Sequence, residues 1–291
     1  EMPELPEIHR YSKIINNLSS KTFTKIQVIG GITKRHPEIP FSHSNYFQVK
    51  SLSRGKEQVI TIWNSKETIS LLFNHGLVGK WELCQEKSMP KGTRLRLTMK
   101  EGGSLVWVDT MNIGRYQVGG MLSMKTRGPD PVSEKSAFVE NLNAQRKKLI
   151  ASAKSSKAIG ELMLDQQYFN GIGNYLRAEI LAHAKIDPFE SIASVLRDEE
   201  KFVRLVESTH AVPKQVIELG LNKYGTPKEK QRFQEWLTCY EKGKFKKDSK
   251  GRKMYYLPMK QSKKVVSFDY GFSSSDSDSS SSSLDSDSSS S

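Results

Sequence analysis

Short apolar runs in the first half of the chain and helix-spaced apolar residues in the second predict an α+β protein built in two parts. Three observations carry this. Between Phe23 and Asp109 the apolar residues come in short segments, at 26–28, at Leu95, Leu97 and Met99, and at 105–108. Gly30-Gly31, Arg54-Gly55, Gly76 and Gly102-Gly103 separate them as turns, which is the pattern of a β-sandwich. Gly128-Pro129-Asp130-Pro131 suits neither helix nor strand and predicts a break. Beyond it, apolar residues recur at helical spacing over roughly 134–153, 159–164, 174–184, 198–208, 214–219 and 230–240. With 291 residues, each part is long enough to bury a core of its own.

The chain opens Glu1-Met2-Pro3-Glu4-Leu5-Pro6-Glu7-Ile8-His9, and Leu5, Ile8, Ile15 and Leu18 then fall on one helical face. Acidic residues in the first turn complement the positive end of the dipole, and prolines are tolerated there, so a capped helix is predicted to precede the sandwich. In the second part, Gly171 and Gly173 allow a tight turn just before Tyr175, Leu176, Ile180 and Leu181, which recur at helical spacing. Asn174 is a good N-cap type, so a helix is predicted to start near it. A glycine turn feeding a helix leaves amide N–H groups unpaired at the positive end, which is an anion site. In a basic chain the expected anion is a nucleic-acid phosphate, the alternative being a plain helical corner with buried glycines. Leu221-Asn222-Lys223-Tyr224-Gly225 reads as a loop between two helices. Lys242 to Tyr256 is basic, holds Gly243 and Gly251, and ends on Met254-Tyr255-Tyr256, which predicts a hairpin.

The formal net charge is +13; the four Asp of the Ser-rich stretch from Ser273 onward lie outside the folded part, which therefore carries +17. Such an excess favours a polyanionic partner, bound less tightly as salt rises. The lysine-rich segments between Lys223 and Lys264 concentrate that charge on a face. Cys84 and Cys239 are the two cysteines, too few for a disulfide scaffold, and they suit a reducing intracellular compartment. Neither has a second cysteine at ligand spacing, so no metal and no other cofactor is expected. No apolar run is long enough to span a bilayer, and no membrane role is expected. The Ser/Asp composition from Ser273 predicts disorder; its Ser-Asp pairs are either acidic kinase sites or a solvating tail.

Asp165-Gln166, the run from Phe169 to Tyr175 and Arg177-Ala178-Glu179-Ile180-Leu181 closely resemble the helix–two-turn–helix motif of the formamidopyrimidine/endonuclease VIII family of DNA glycosylases. The continuation through Lys185-Ile186-Asp187-Pro188-Phe189-Glu190 is most similar to its endonuclease VIII-like 1 branch. Met2-Pro3-Glu4-Leu5-Pro6-Glu7 matches the family's N-terminal signature, and Ser53-Arg54-Gly55-Lys56-Glu57 its lysine-bearing turn. The resemblance covers nearly all of Met2 to about Lys260 and implies a sandwich catalytic domain over 1–120, a linker over 121–133 and a helix–two-turn–helix domain over 134–241. A hairpin over 242–264 then corresponds to the zincless finger, and 265–291 to a disordered tail.

The resemblance also implies roles. Pro3 is the nucleophile once the residues before it are removed, and Glu4 is the acid. Lys56, Arg252, Asn174 and Gly173 hold phosphates, Lys56 and Arg252 counting also as catalytic. Leu77, Met111 and Ile113 fill the void left by the everted nucleotide, in place of the family's usual Met, Arg and Phe. The arginine that pairs with the orphaned base is thus missing, and weak discrimination of that base is expected. Glu7, Asn222, Lys223 and Tyr224 recognise the lesion, although the loop's usual lysine aligns with Asn222. The implied function is a bifunctional glycosylase and abasic-site lyase of base excision repair, acting as a monomer on oxidised bases or abasic sites in duplex or single-stranded DNA, and nuclear if the source is eukaryotic. With Glu1 and Met2 attached, Pro3 is an internal amide, and the alternative is a catalytically silent DNA-binding member. A structural RNA-binding protein with the same helical motif is a weaker rival, because Lys56 and the N-terminal signature would serve no purpose there.

Overall fold

A computed structural model describes residues 2–42, 46–85 and 88–258. The predicted disorder of the Ser/Asp tail lies outside the described residues. The chain begins with α1 (Leu5–Asn16), in whose first turn Glu7 reaches back to accept the Glu4 N–H at 2.8 Å. Among the described residues eight strands follow: β1 (Phe23–Val28), β2 (Gln48–Arg54), β3 (Glu57–Trp63), β4 (Thr68–Asn74), β5 (Lys80–Cys84), β6 (Thr93–Met99), β7 (Ser104–Val108) and β8 (Arg115–Val118). They form two antiparallel four-stranded sheets, ordered β1-β6-β7-β5 and β2-β3-β4-β8. Alternation puts Ile60, Ile62, Leu71 and Phe73 of one sheet against Leu95, Leu97, Leu105 and Trp107 of the other, all fully buried. Each such side chain contributes about 1.5–3 kcal/mol when removed from water.

Residues 121–134 carry neither helix nor strand. Then come α2 (Lys135–Ala151), α3 (Ile159–Leu162), α4 (Asn174–His183), α5 (Ile192–Arg197), α6 (Glu199–Glu218) and α7 (Pro227–Trp236), and last the antiparallel hairpin of β9 (Lys244–Lys247) and β10 (Lys253–Tyr256). Their core is separate from that of the sandwich, with one exception. Leu5, expected on one face with Ile8, Ile15 and Leu18, packs into the helical core while those three stay in the sandwich core. The start of α1 therefore pins the two halves together.

Two helical expectations need correction. The segments 198–208 and 214–219 are one helix, because Pro213 removes a single N–H while Val212, Pro213 and Val216 are all buried against the core. Packing offsets the lost hydrogen bond. The short α5 has too few turns to show a period, yet Ser191 caps it by accepting the Ser194 N–H at 3.1 Å.

Candidate active site

The helix expected to begin at Asn174 has Gly173 as its N-cap, and Asn174 is its first residue. Three of the amides at this end, that of Gly173 among them, are not left open for an external anion, so the phosphate contact expected of Gly173 is not available through its N–H. Glu4 reaches across from the sandwich half, accepting the Gly173 and Leu176 N–H groups on Oε2 at 2.8 and 3.1 Å and that of Tyr175 on Oε1 at 3.1 Å. The positive end of α4 is satisfied by a carboxylate belonging to the protein itself. This contact explains the glycine at 173, since a Cβ there would collide with the Glu4 side chain. Gly171, at φ +91°, takes a left-handed turn in which a Cβ would lie 2.7 Å from that of Leu5, and its carbonyl accepts the Leu5 N–H at 3.0 Å.

Pro3 and Glu4 are buried at the floor of a cleft of about 640 Å³ between the two halves, with Met2 exposed at its edge. Lys56, on the turn between β2 and β3, joins them from the sandwich side. Gly173 and Asn174 line the cleft from α4 and its cap, and Arg252 lines it from the hairpin. All six residues expected at the chemistry or the phosphates thus come from four separate places in the chain to one cavity.

Electrostatics sharpen this site. Burial pushes Glu4 above the ordinary carboxylate range, against the downward pull of Lys56, Lys223 and the Tyr175 N–H. Burial lowers Lys56 to about 8, with Glu4 opposing the shift and Arg127 adding to it. Arg252 is oriented by Asp248, which accepts its Nε at 2.8 Å and its backbone N–H at 2.9 Å. His75, on the cleft wall, is driven by burial to about 3 and is neutral. Trp107 Nε1 donates to its Nδ1 at 3.2 Å, so Nε2 carries the proton and donates to Gln58 Oε1 at 2.8 Å.

The void-filling set divides. Leu77 and Ile113 line the cleft, whereas Met111 is exposed and does not. Glu7, Asn222, Lys223 and Tyr224, expected to recognise the lesion, do not line this cleft. Asn222 is occupied in shaping its own loop, accepting the Tyr224 N–H at 3.1 Å and donating to Glu229 at 3.3 Å. Asn222 and Tyr224 line a smaller cavity of about 230 Å³ with Tyr11 and Trp81. The sequence reading missed Arg127, Arg35 and Arg115, three further cations on the cleft. Arg127 pairs with Glu57 at 3.1 Å, and Arg35 donates to the Asn112 carbonyl at 2.6 Å. The only available signal was a cation beside Gly128-Pro129 and another in Lys34-Arg35-His36. Among the described residues, no group of three His, Cys, Asp or Glu is placed to hold a metal ion.

A β-sandwich whose N-terminal carboxylate caps a helix fed by a glycine turn, across a basic cleft, has the architecture of a helix–two-turn–helix DNA glycosylase. The formamidopyrimidine-DNA glycosylase N-terminal domain matches residues 2–116, and the formamidopyrimidine-DNA glycosylase H2TH domain matches residues 128–227. Endonuclease 8-like 1 of Homo sapiens is 33% identical over 274 residues, covering 82% of this chain and 67% of that protein. Formamidopyrimidine-DNA glycosylase of Listeria monocytogenes is 27% identical, covering 83% of this chain and 89% of its own. The chain belongs to the formamidopyrimidine/endonuclease VIII family of DNA glycosylases. Its fold is similar to that of Lactococcus lactis Fpg in complex with abasic-site DNA, at a TM-score of 0.69 and 20% identity, covering 88% of this chain and 98% of that one.

Proposed function

We propose that this protein is a bifunctional DNA glycosylase and abasic-site lyase, which removes oxidised bases, mainly pyrimidines, through an imine on the Pro3 nitrogen. The observation that carries the reading is the Glu4 carboxylate, fixed by three α4 N–H groups beside Pro3 in a cleft edged by Lys56, Asn174 and Arg252. DNA as the ligand is supported by the basic folded part and by solved relatives, in which Lactococcus lactis Fpg holds DNA with an abasic site or an oxidised pyrimidine.

An oxidised base in a duplex is out of reach until its nucleotide turns outward. With Glu1 and Met2 removed, Pro3 is a secondary amine; a free α-amino group titrates near pH ~7.7–8.0, so a useful fraction is neutral at physiological pH. The amine attacks C1′, the base leaves with the glycosidic electron pair and takes up the amine proton, and the Glu4 carboxyl, whose protonated form burial favours, gives its proton to the ring oxygen as the sugar opens. The iminium that results makes the C2′ proton acidic, and its loss expels the 3′ phosphate; a second elimination expels the 5′ phosphate. Lys56, Asn174 and Arg252 hold the flanking phosphates and stabilise the charge that develops on them, without reading sequence. Leu77 and Ile113 enter the space the nucleotide leaves, with Met111 beside Ile113 on the turn between β7 and β8.

A second reading is favoured by one observation: Met2 precedes Pro3 in the structure, and in that form the Pro3 nitrogen is a tertiary amide with no lone pair to give. Such a form binds damaged DNA without forming an imine. Incubation of the trimmed protein with end-labelled duplexes, each carrying one oxidised base, tests the reading. Pyrimidine lesions are expected to be cut first, leaving phosphate on both ends of the gap. Release of free base with no strand break would overturn the lyase half of the proposal.

A further inference from the structure

Glu4 and Glu7 sit one helical turn apart at the start of α1, 3% and 2% exposed. Two buried carboxylates so close raise each other's cost of ionisation unless cations balance them. On the cleft side the balancing cation is Lys56. On the far side it is Lys223, in the loop between α6 and α7. Its Nζ is shielded from solvent, 4.6 Å from the Tyr175 ring centroid and 5.0 Å from that of Tyr224. Tyr175 ties this cation to the acids: its hydroxyl donates to Glu7 Oε1 at 3.1 Å and its N–H to Glu4 Oε1 at 3.1 Å. Lys223 does not line the cleft, although its place in the recognition loop leads to the expectation of a contact with the everted base.

We infer that Lys223 is a positioning residue, the counter-cation of the Glu4–Glu7 pair, acting on the chemistry through those carboxylates and not by touching the base. The inference rests on the reading of Glu4 as the acid. Glu7 must stay ionised to accept both the Tyr175 hydroxyl and the Glu4 N–H, and the latter bond fixes the Pro3–Glu4 peptide and with it the Pro3 ring. The groups facing Glu4 are Lys56 from the β2–β3 turn, Lys223 from the α6–α7 loop, Glu7 from α1 and Tyr175 from α4, with Arg127 of the linker acting on Lys56. Lys56 also feels Glu7, but Lys223 is the first counter-charge of Glu7, which burial otherwise pushes up.

Carbon-13 NMR titration of the Glu4 and Glu7 carboxyls in the full chain tests this, alongside excision of two different oxidised pyrimidines across pH by the trimmed protein. In Lys223→Met both carboxyl midpoints are expected to rise by about one pH unit, the shift one missing neighbouring charge produces. The limb of the excision profile that reports Glu4 moves upward with them, equally for both lesions. Lys223→Gln, polar but uncharged, behaves like Lys223→Met, and Lys223→Arg returns both midpoints to the wild-type values. Midpoints that stay put in both uncharged variants, with excision of one lesion lost and the other kept, would overturn the inference and make Lys223 a base contact. Failure of the underlying reading shows differently: Glu4→Gln would excise intact bases at the wild-type rate, whatever the titrations do.

Discussion

Arg177, at the heart of α4, lies 3.2 Å from Asp248 in the hairpin turn, and both side chains are closed to solvent. Through this pair the helix that carries the Glu4 carboxylate also fixes the finger that carries Arg252. Arg177 donates further to the Gly160 and Lys253 carbonyls, both at 3.1 Å. Arg177→Leu leaves Asp248 with Arg252 as its remaining cation and takes the donor from the Gly160 and Lys253 carbonyls, and is expected to cost about 3–5 kcal/mol of stability. Thermal or denaturant unfolding measures it. A cost below about 1 kcal/mol is what an exposed pair would give and would contradict the buried one.

Arg252 is held by Asp248 but is only partly buried, with the guanidinium on the cleft. Arg252→Ala is expected to slow strand cleavage while leaving the fold intact. It should also reduce the dependence of log affinity on log salt by about one unit. Binding that keeps its full salt slope would remove Arg252 from the DNA contact.

Lys56 gives the interface a pH dependence whose sign is fixed. Burial, the largest cause, places its titration at about 8, so the ammonium is present below that pH and lost above it. As pH rises from 7 to 9, the salt slope of DNA binding is expected to fall by about one unit. Lys56→Met should show the lower slope throughout, with no step. A wild-type slope constant to pH 9 would mean that this ammonium grips no phosphate.

With Leu77, Met111 and Ile113 as the wedge, no side chain of the wedge can hydrogen-bond the orphaned base. Excision rates for one lesion are therefore expected to differ little among the four opposite bases. A strong preference for one partner would contradict the assignment. If that preference vanished in Arg35→Ala or Arg115→Ala, the cleft cations flanking Ile113 would be its source.

What the sequence made legible was whatever repeats a period or matches a contiguous motif. The buried faces of α1 and α4, the strands around Leu95 and Leu105 and the hairpin ending at Tyr256 are of this kind. The glycine turn was legible as an anion site, but the anion was not. Glu4 is about 170 positions away, and no local pattern says that a carboxylate from the sandwich will occupy the α4 amides. Arg127, Arg35 and Arg115 were hidden for the same reason, since a cation in irregular chain carries no period and only the closure of the two halves brings it to the cleft. Lys223 shows the converse. Its loop was located correctly, yet side-chain direction is set by packing against Tyr175, which spacing alone cannot convey. Pro213 misled through a sound local rule, overridden by burial of its neighbours.

The central claim is that the Pro3 nitrogen is the nucleophile, and borohydride trapping tests it most directly. Two forms of the chain are compared on DNA bearing an oxidised pyrimidine or an abasic site, one beginning at Pro3 and one retaining Met2. The trimmed form is expected to give a covalent protein–DNA adduct that peptide mapping places on Pro3. The extended form is expected to bind the same DNA and give no adduct there. Equal trapping by both forms, mapped to another amine such as Lys56, would contradict the account.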